Sequence, residues 1–129
     1  MQQGLLILKQ TLKITIMKLS VLERINLLGI LPQESNYITM KILGELKTVL
    51  SFSEKELKDF NVVQKEIDGK VRIFWDSKKE KLKEIPIGEQ ANIIIQNSLK
   101  KLDKEGKISE GVFPLFEKFK YFPDLEVTK

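Results

Sequence analysis

The hydrophobic pattern of the chain opens with an alternating segment that ends at Met17. Its apolar residues recur at even positions, namely Leu6, Leu8, Leu12, Ile14 and Ile16. This alternation favours a β-strand, although Gln10 interrupts it and a helix is the alternative. Because a complete helix-starting signal follows Met17, we expect residues 1–16 to be an N-terminal extension, either a strand or a non-native start. The domain is then predicted to span 17–122, with a frayed tail at 123–129.

Capping residues predict the first helix. Ser20 can cap it, and Glu23, three residues later, can complete a capping box. We expect this helix to end at Gly29, because glycine suits a left-handed C-terminal residue and Pro32 prevents continuation. Its apolar face would carry Val21, Leu22, Ile25 and Leu28.

Two more helices are predicted in the same half of the chain. The second runs from about Ile38 to Leu50, and three residues are candidate caps: Ser35, Asn36 and Thr39. Its buried stripe would be Ile38, Ile42, Leu46, Val49 and Leu50. The third lies in "SEKELKDF", where Ser53 and Glu56 form a second capping box. Its inward side chains would be Leu57 and Phe60.

A β-hairpin is predicted from "NVVQKEIDGKVRIFWD". Asp68-Gly69 stands between two β-rich flanks, a pattern typical of a two-residue turn. The pairing register is not determined by the sequence. "EIPIG" is expected to add a third short strand at an edge, because Pro86 has no N–H to donate to a ladder.

Two helices complete the predicted fold. The fourth runs from about Glu89 to Glu105, and Gly106 stops it. Its buried face would carry Ala91, Ile94, Ile95, Ser98, Leu99 and Leu102. Ser109 can cap a last helix, in which Pro114 predicts a kink or a late start. The fold class is therefore α+β: about five helices packed with a small antiparallel hairpin or three-stranded sheet.

Composition excludes several chemistries. The 129 residues carry a formal charge of +4 and contain no histidine and no cysteine. Thiolate nucleophiles, disulfides, cysteine metal sites and imidazole bases are therefore excluded. There is also no phosphate-binding loop, dinucleotide fingerprint or nucleophile elbow. We expect a cytoplasmic protein that is not an enzyme and uses no cofactor, no metal and no membrane.

The order of three helices and a hairpin is that of a winged helix-turn-helix protein. The third helix would then read DNA, but its charged residues sum to one negative charge, which is repulsive next to phosphates. The hairpin and the following loop are richer in cations, and these are our candidate contacts to DNA or another partner: Lys65, Lys70, Arg72, Lys78, Lys79, Lys81 and Lys83. A solvated charged face is the simpler interpretation of these residues. The same holds for the cations Lys100, Lys101, Lys104 and Lys107, which the dipole of the fourth helix favours at its end.

The last helix is unusually apolar. Four of its residues form a candidate self-association face: Val112, Phe113, Phe116 and Phe119. Their simpler role is in the core, with the fifth helix closing over the fourth. A homodimer is the functional alternative, because an exposed apolar patch marks an interaction site.

Taken together, helix 1, "SFSEKELKDF" and "IPIGEQANIIIQNSLKKLDKEGKISE" resemble small uncharacterised proteins of phage and prophage genomes. The resemblance runs from about Met17 to Phe119 and includes "LLGILP", "SFSE" and "LDKEGK". None of these is a catalytic motif, so the resemblance implies a context, that of a mobile-element accessory protein, and no activity.

The sequence thus predicts a non-enzymatic interaction protein that acts through protein–protein contacts, with another protein or a second copy of itself. The alternative is a winged-helix DNA-binding transcriptional regulator, and an enzyme with an unmarked site is third.

Overall fold

The computed structural model describes residues 14–123. It confirms the α+β class, with five helices and two separate two-stranded antiparallel sheets in this part of the chain. In chain order the elements are β1 (Ile14–Leu19), α1 (Val21–Ile30), α2 (Tyr37–Leu50), α3 (Glu54–Asp59), β2 (Val63–Ile67), β3 (Lys70–Phe74), β4 (Lys83–Gly88), α4 (Glu89–Glu105) and α5 (Phe113–Lys118). The leucines predicted to continue the N-terminal alternation, and most of the predicted tail, lie outside the described residues.

The first sheet joins two strands that are distant in sequence. β1 pairs antiparallel with β4, in a register that sets Met17 opposite Ile85. The predicted domain boundary at Met17 therefore falls inside a strand, since Ile14, Thr15 and Ile16 belong to the same ladder. The predicted alternative of a three-stranded sheet is wrong for the described residues, because β4 pairs with β1 and the hairpin strands β2 and β3 pair with each other.

Helix α1 begins as predicted but ends and faces differently. The Ser20 side chain accepts from the Glu23 N–H and the Glu23 carboxylate accepts from the Ser20 N–H, which completes the capping box. Gly29 lies inside the helix, and the extended residue Leu31 ends it. The buried face runs through Val21, Arg24 and Leu27, whereas Leu22 is exposed. The predicted buried face differs from the observed one because the prediction treated Arg24, a polar residue, as exposed.

Helix α2 is capped by the second of its three candidate residues. The Asn36 side-chain oxygen accepts from the Thr39 N–H at 2.9 Å. The helix buries Leu43, Leu46 and Leu50, but Ile38 is 69% exposed, so its predicted burial was wrong. One stripe of this helix is thus only partly covered by the rest of the described fold.

The core lies between β1–β4 and the helices. α2 and α4 pack on each other and on β4, while α1 contacts β1, α2 and α5. The predicted inner face of α4 is confirmed, since Ile94, Ile95 and Leu99 are buried. Gly106 ends this helix at φ 65°, a left-handed conformation that glycine adopts at low cost.

Helix α5 starts late, as Pro114 predicted. The Ser109 carbonyl accepts hydrogen bonds from two backbone N–H groups in a preceding turn, and the helix begins only at Phe113. Lys118 then donates to the Glu23 carboxylate at 2.8 Å and ties α5 to α1. Just before the helix, the Asn26 side-chain amide donates to the Gly111 carbonyl at 2.9 Å, so α1 holds this segment at its start as well as at its end.

The predicted self-association face is largely part of the core. Phe116 and Phe119 are buried, and Val112 is half-buried against the same cluster. Phe113 is the exposed member, at 52%. The apolar excess of α5 packs on α1 and into the core cluster, so these four residues do not form a single exposed patch.

Candidate functional site

The hairpin is a tight two-residue turn between two short strands. Asp68 and Gly69 both have positive φ, 54° and 77°. Two successive positive φ angles match the right-handed twist of the flanking strands, as in a type I′ turn. The turn places Ile67 directly opposite Lys70.

The register separates the charges of the hairpin onto its two faces. Lys65 lies opposite Arg72, and residues directly opposite each other project to the same face. Because side chains alternate along a strand, one face carries the pairs Val63–Phe74, Lys65–Arg72 and Ile67–Lys70. We call it the cationic face: it holds three cations and no acid. The hairpin's acidic strand residue, Glu66, is on the other face with Val71.

This hairpin projects from the body. Its strands contact chiefly each other, and every side chain of the cationic face is exposed. Lys65 Nζ lies 5.6 Å from the centre of the Phe74 ring, so the ammonium covers part of the aromatic surface. An isolated two-stranded hairpin is only marginally stable in water, and this one is held at its base, where the Asp76 N–H donates to the Phe60 carbonyl at 2.8 Å.

A lysine-lined groove begins at the base of the hairpin. It is open to solvent and has a volume of about 1020 Å³. Six lysines line it: Lys18, Lys55, Lys78, Lys79, Lys81 and Lys83. Three carboxylates line it too, those of Glu56, Asp59 and Glu84. Phe60, whose carbonyl holds the base of the hairpin, also lines the groove, so the groove adjoins the hairpin base.

The structure divides the seven candidate cations between these two places. Lys65, Lys70 and Arg72 share the cationic face, while the four loop lysines line the groove. Among the described residues, Lys83 is the one of the seven that forms a salt bridge, to Glu56 at 3.7 Å. We call the cationic face and the groove together the basic surface.

A buried arginine fixes the wall of the groove. Arg24 has no exposed surface, and its guanidinium donates to the Glu56 carboxylate at 2.7 and 3.2 Å. It also donates to the carbonyls of Leu50 and Ser51 and lies 3.9 Å from the centre of the Phe52 ring. A single side chain therefore ties α1 to the end of α2 and to α3.

This contact changes the acidity of Glu56. The hydrogen bond from Arg24, together with the Ser53 backbone N–H and the charges of Arg24 and Lys83, outweighs burial and lowers the pKa of Glu56 to about 2. In Glu23, burial alone would raise the pKa of the carboxyl, but hydrogen bonds from Lys118 and Ser20 outweigh it and the net pKa is lowered. Both carboxylates stay charged and paired with cations, so the negative charge of Glu56 is compensated within the fold.

Sequence reasoning missed three residues of this region. Arg24 is polar within an apolar face, and the signal that could have identified it is its i+3 spacing between Val21 and Leu27. Lys18 and Lys55 reach the groove from β1 and α3, and only the fold brings them there. The α4 cations Lys100 and Lys104 are exposed and do not line this groove.

Three further findings concern metal sites, membrane-spanning helices and similarity to known proteins. Within residues 14–123 no group of three or more acidic side chains could hold a metal ion. No helix in this range is long and apolar enough to span a bilayer. No protein-family model, no curated protein and no solved structure matches the chain.

Proposed function

We propose that this chain is a non-enzymatic interaction protein that binds another macromolecule through its basic surface. One observation carries the proposal: the hairpin register places three exposed cations and no acid on one face. Charge complementarity then selects a partner that presents negative charge. The mobile-element context and a protein partner remain predictions.

The hairpin has two features that lower its own stability. Lys65 and Arg72 are directly opposite each other, and like charges at such positions are destabilising. Val71 is 66% exposed on the second face, and Phe74 is 42% exposed on the first. A projecting element that is both self-repelling and partly apolar is expected to gain stability from a bound partner.

The winged-helix alternative receives less support from the same region. Among residues 14–123 the hairpin strands pair only with each other, so no further strand fixes the hairpin beside α3. Helix α3 also has only six residues and keeps Glu54 and Asp59 exposed on its surface. Acids at those positions disfavour close approach of α3 to phosphates.

The test is to map binding residue by residue by NMR. The ¹⁵N-labelled chain is titrated with a heparin hexasaccharide and, separately, with poly-glutamate, and amide shifts are followed. We expect the changes to concentrate at residues 63–74 and 78–83. Equal changes around Lys100–Lys107, or none at any position, would overturn the proposal.

A matched pair of variants removes the effect of net charge. The first replaces Lys65, Lys70 and Arg72 by Gln, and the second replaces Lys100, Lys101 and Lys104 by Gln. Each lowers the formal charge from +4 to +1 and alters exposed side chains. We expect the first variant alone to lose the shift changes, because position and not total charge decides binding.

A further inference from the structure

The geometry of the hairpin points to a specific kind of anionic partner. Resting on the function proposed above, we infer that the cationic face binds the phosphate backbone of double-stranded DNA, with little dependence on base sequence. Lys65, Arg72 and Lys70 are the contacting side chains. The groove lysines extend the contact along the same backbone.

The shape of the hairpin fits a duplex groove. A two-stranded β-ribbon fits the major groove of B-form DNA, which is about 12 Å wide. Here the ribbon projects from the body, and its tip is a two-residue turn with no bulky side chain at Gly69. Its width and its exposure therefore allow it to enter or to lie across such a groove.

The spacing of the cations fits contact with more than one phosphate. Arg72 and Lys70 are two positions apart on the same face of β3, about 7 Å along the strand. Lys65 stands across from Arg72 on the other strand. The three charges thus form a triangle, and Lys78 and Lys79 line the groove that adjoins the hairpin base.

The side chains of this face favour duplex DNA over other nucleic acids. Single strands are held by stacking of bases on aromatic rings, and Phe74 is the one aromatic residue of the face, with Lys65 above it. Double-stranded RNA has a major groove too narrow for side chains to enter. The cationic face therefore fits B-form DNA best.

The same side chains predict weak discrimination between base sequences. Base edges are identified most specifically by side chains with a planar set of hydrogen-bonding groups, such as Arg, Asn and Gln, although Lys can also donate to guanine. The cationic face offers a single side chain of this kind, Arg72, since Gln64 belongs to the opposite face. A lysine that contacts a phosphate acts as a point charge, and such a contact carries no sequence information.

The experiment is a fluorescence-polarisation titration of a labelled DNA duplex at several salt concentrations. It compares the full chain with the hairpin variant (Lys65, Lys70 and Arg72 to Gln) and with the α4 variant (Lys100, Lys101 and Lys104 to Gln). We expect the hairpin variant to bind at least about 10-fold more weakly at about 0.1 M salt, and the α4 variant less than about 3-fold. The slope of log affinity against log salt should shrink by about 2 to 3 in the hairpin variant alone, since each phosphate contact contributes about 0.9.

Further arms test each part of the inference. Two duplexes of unrelated sequence should bind within about 3-fold of each other, and single-stranded DNA and duplex RNA of equal length at least about 10-fold more weakly. Equal or tighter binding of either competitor would overturn the assignment to duplex DNA.

If no duplex binds but heparin still shifts the hairpin amides, the DNA assignment is wrong and the interaction function stands. If both fail, both are wrong. Unchanged circular dichroism and melting of the two variants establish that a loss of affinity is not a loss of fold.

Discussion

Arg24 is a fully buried cation whose desolvation is offset by the acceptors around it. Its guanidinium has the Glu56 carboxylate and two main-chain carbonyls as partners, and removal of the cation takes the Arg24 donors away from all three. Glu56 then keeps the Ser53 N–H and the more distant Lys83 ammonium. Breaking a buried pair in this way destabilises a protein far more than loss of a surface pair.

The corresponding prediction concerns Arg24→Met. We expect the free energy of unfolding to fall by about 3 kcal/mol, measured by urea denaturation. Arg72→Met is the control, because Arg72 is exposed on the hairpin, and its effect should stay within about 0.5 kcal/mol. An Arg24→Met effect below about 1 kcal/mol would show that the buried network does not stabilise the fold.

Glu56 makes stability depend on pH. Its pKa is lowered from 4.5 to about 2, so between these values the folded chain binds fewer protons than the unfolded chain. The stabilisation is fully present above the unfolded pKa and is lost as the pH falls through the folded pKa. Between about pH 5 and pH 2.5 we expect the wild-type chain to lose about 1–2 kcal/mol more than Glu56→Gln, after allowance for partial screening by solvent.

The measurement is urea denaturation at several pH values in constant salt. Glu54→Gln is the matched control: it removes an exposed carboxylate from the same helix and should leave the wild-type pH profile in place. Parallel profiles for the wild-type chain and Glu56→Gln would contradict the assignment of the acid-labile contact to the Arg24–Glu56 pair.

At the scale of elements, α5 serves as a cover for the core. Phe116 meets the Tyr121 ring edge-on at 5.0 Å and is 4% exposed, whereas Phe113 on the same helix is half-exposed. Phe116→Ala should therefore destabilise the fold by about 3–5 kcal/mol, and Phe113→Ala by less than about 1 kcal/mol. Thermal unfolding measures both, and similar effects of the two substitutions would mean that α5 does not pack in this orientation.

The elements that sequence could predict are those specified by local chemistry. The capping boxes at Ser20 and Ser53, the turn at Asp68-Gly69 and the stop at Gly106 each depend on residues within a few positions of one another. The pairing of β1 with β4 depends on strands that are far apart in the sequence, and no local pattern contains it. Burial of Arg24 likewise depends on Glu56, which a different helix supplies.

In the candidate site, too, some features depend on local sequence and others on residues far apart in the chain. The seven cations of the predicted hairpin and the segment after it were identifiable from the local sequence alone. Their grouping was not, because it needs the strand register, which sets Lys65 opposite Arg72, and the packing that brings Lys18 and Lys55 to the groove. Sequence therefore supplied seven cations of the basic surface, while the fold supplied their arrangement and added Lys18 and Lys55.

At the scale of the whole molecule, the described chain combines an apolar body with a projecting basic hairpin. The body buries a cluster of aliphatic and aromatic side chains that come from β1, β4 and the helices. In the hairpin almost every side chain is exposed. Such a division assigns stability to one part and contact with a partner to the other. Substitutions on the cationic face are accordingly expected to change binding while leaving the unfolding free energy within about 0.5 kcal/mol.

The most direct test of this account is the salt concentration at which the two charge-matched variants elute from a heparin column. Both carry three fewer cations than the wild-type chain, so a surface defined by total charge would shift them equally. We predict that the variant lacking Lys65, Lys70 and Arg72 elutes at clearly lower salt than the variant lacking Lys100, Lys101 and Lys104, which should elute close to the wild type. Elution of the two variants at the same salt concentration would contradict the claim that the hairpin is the binding surface.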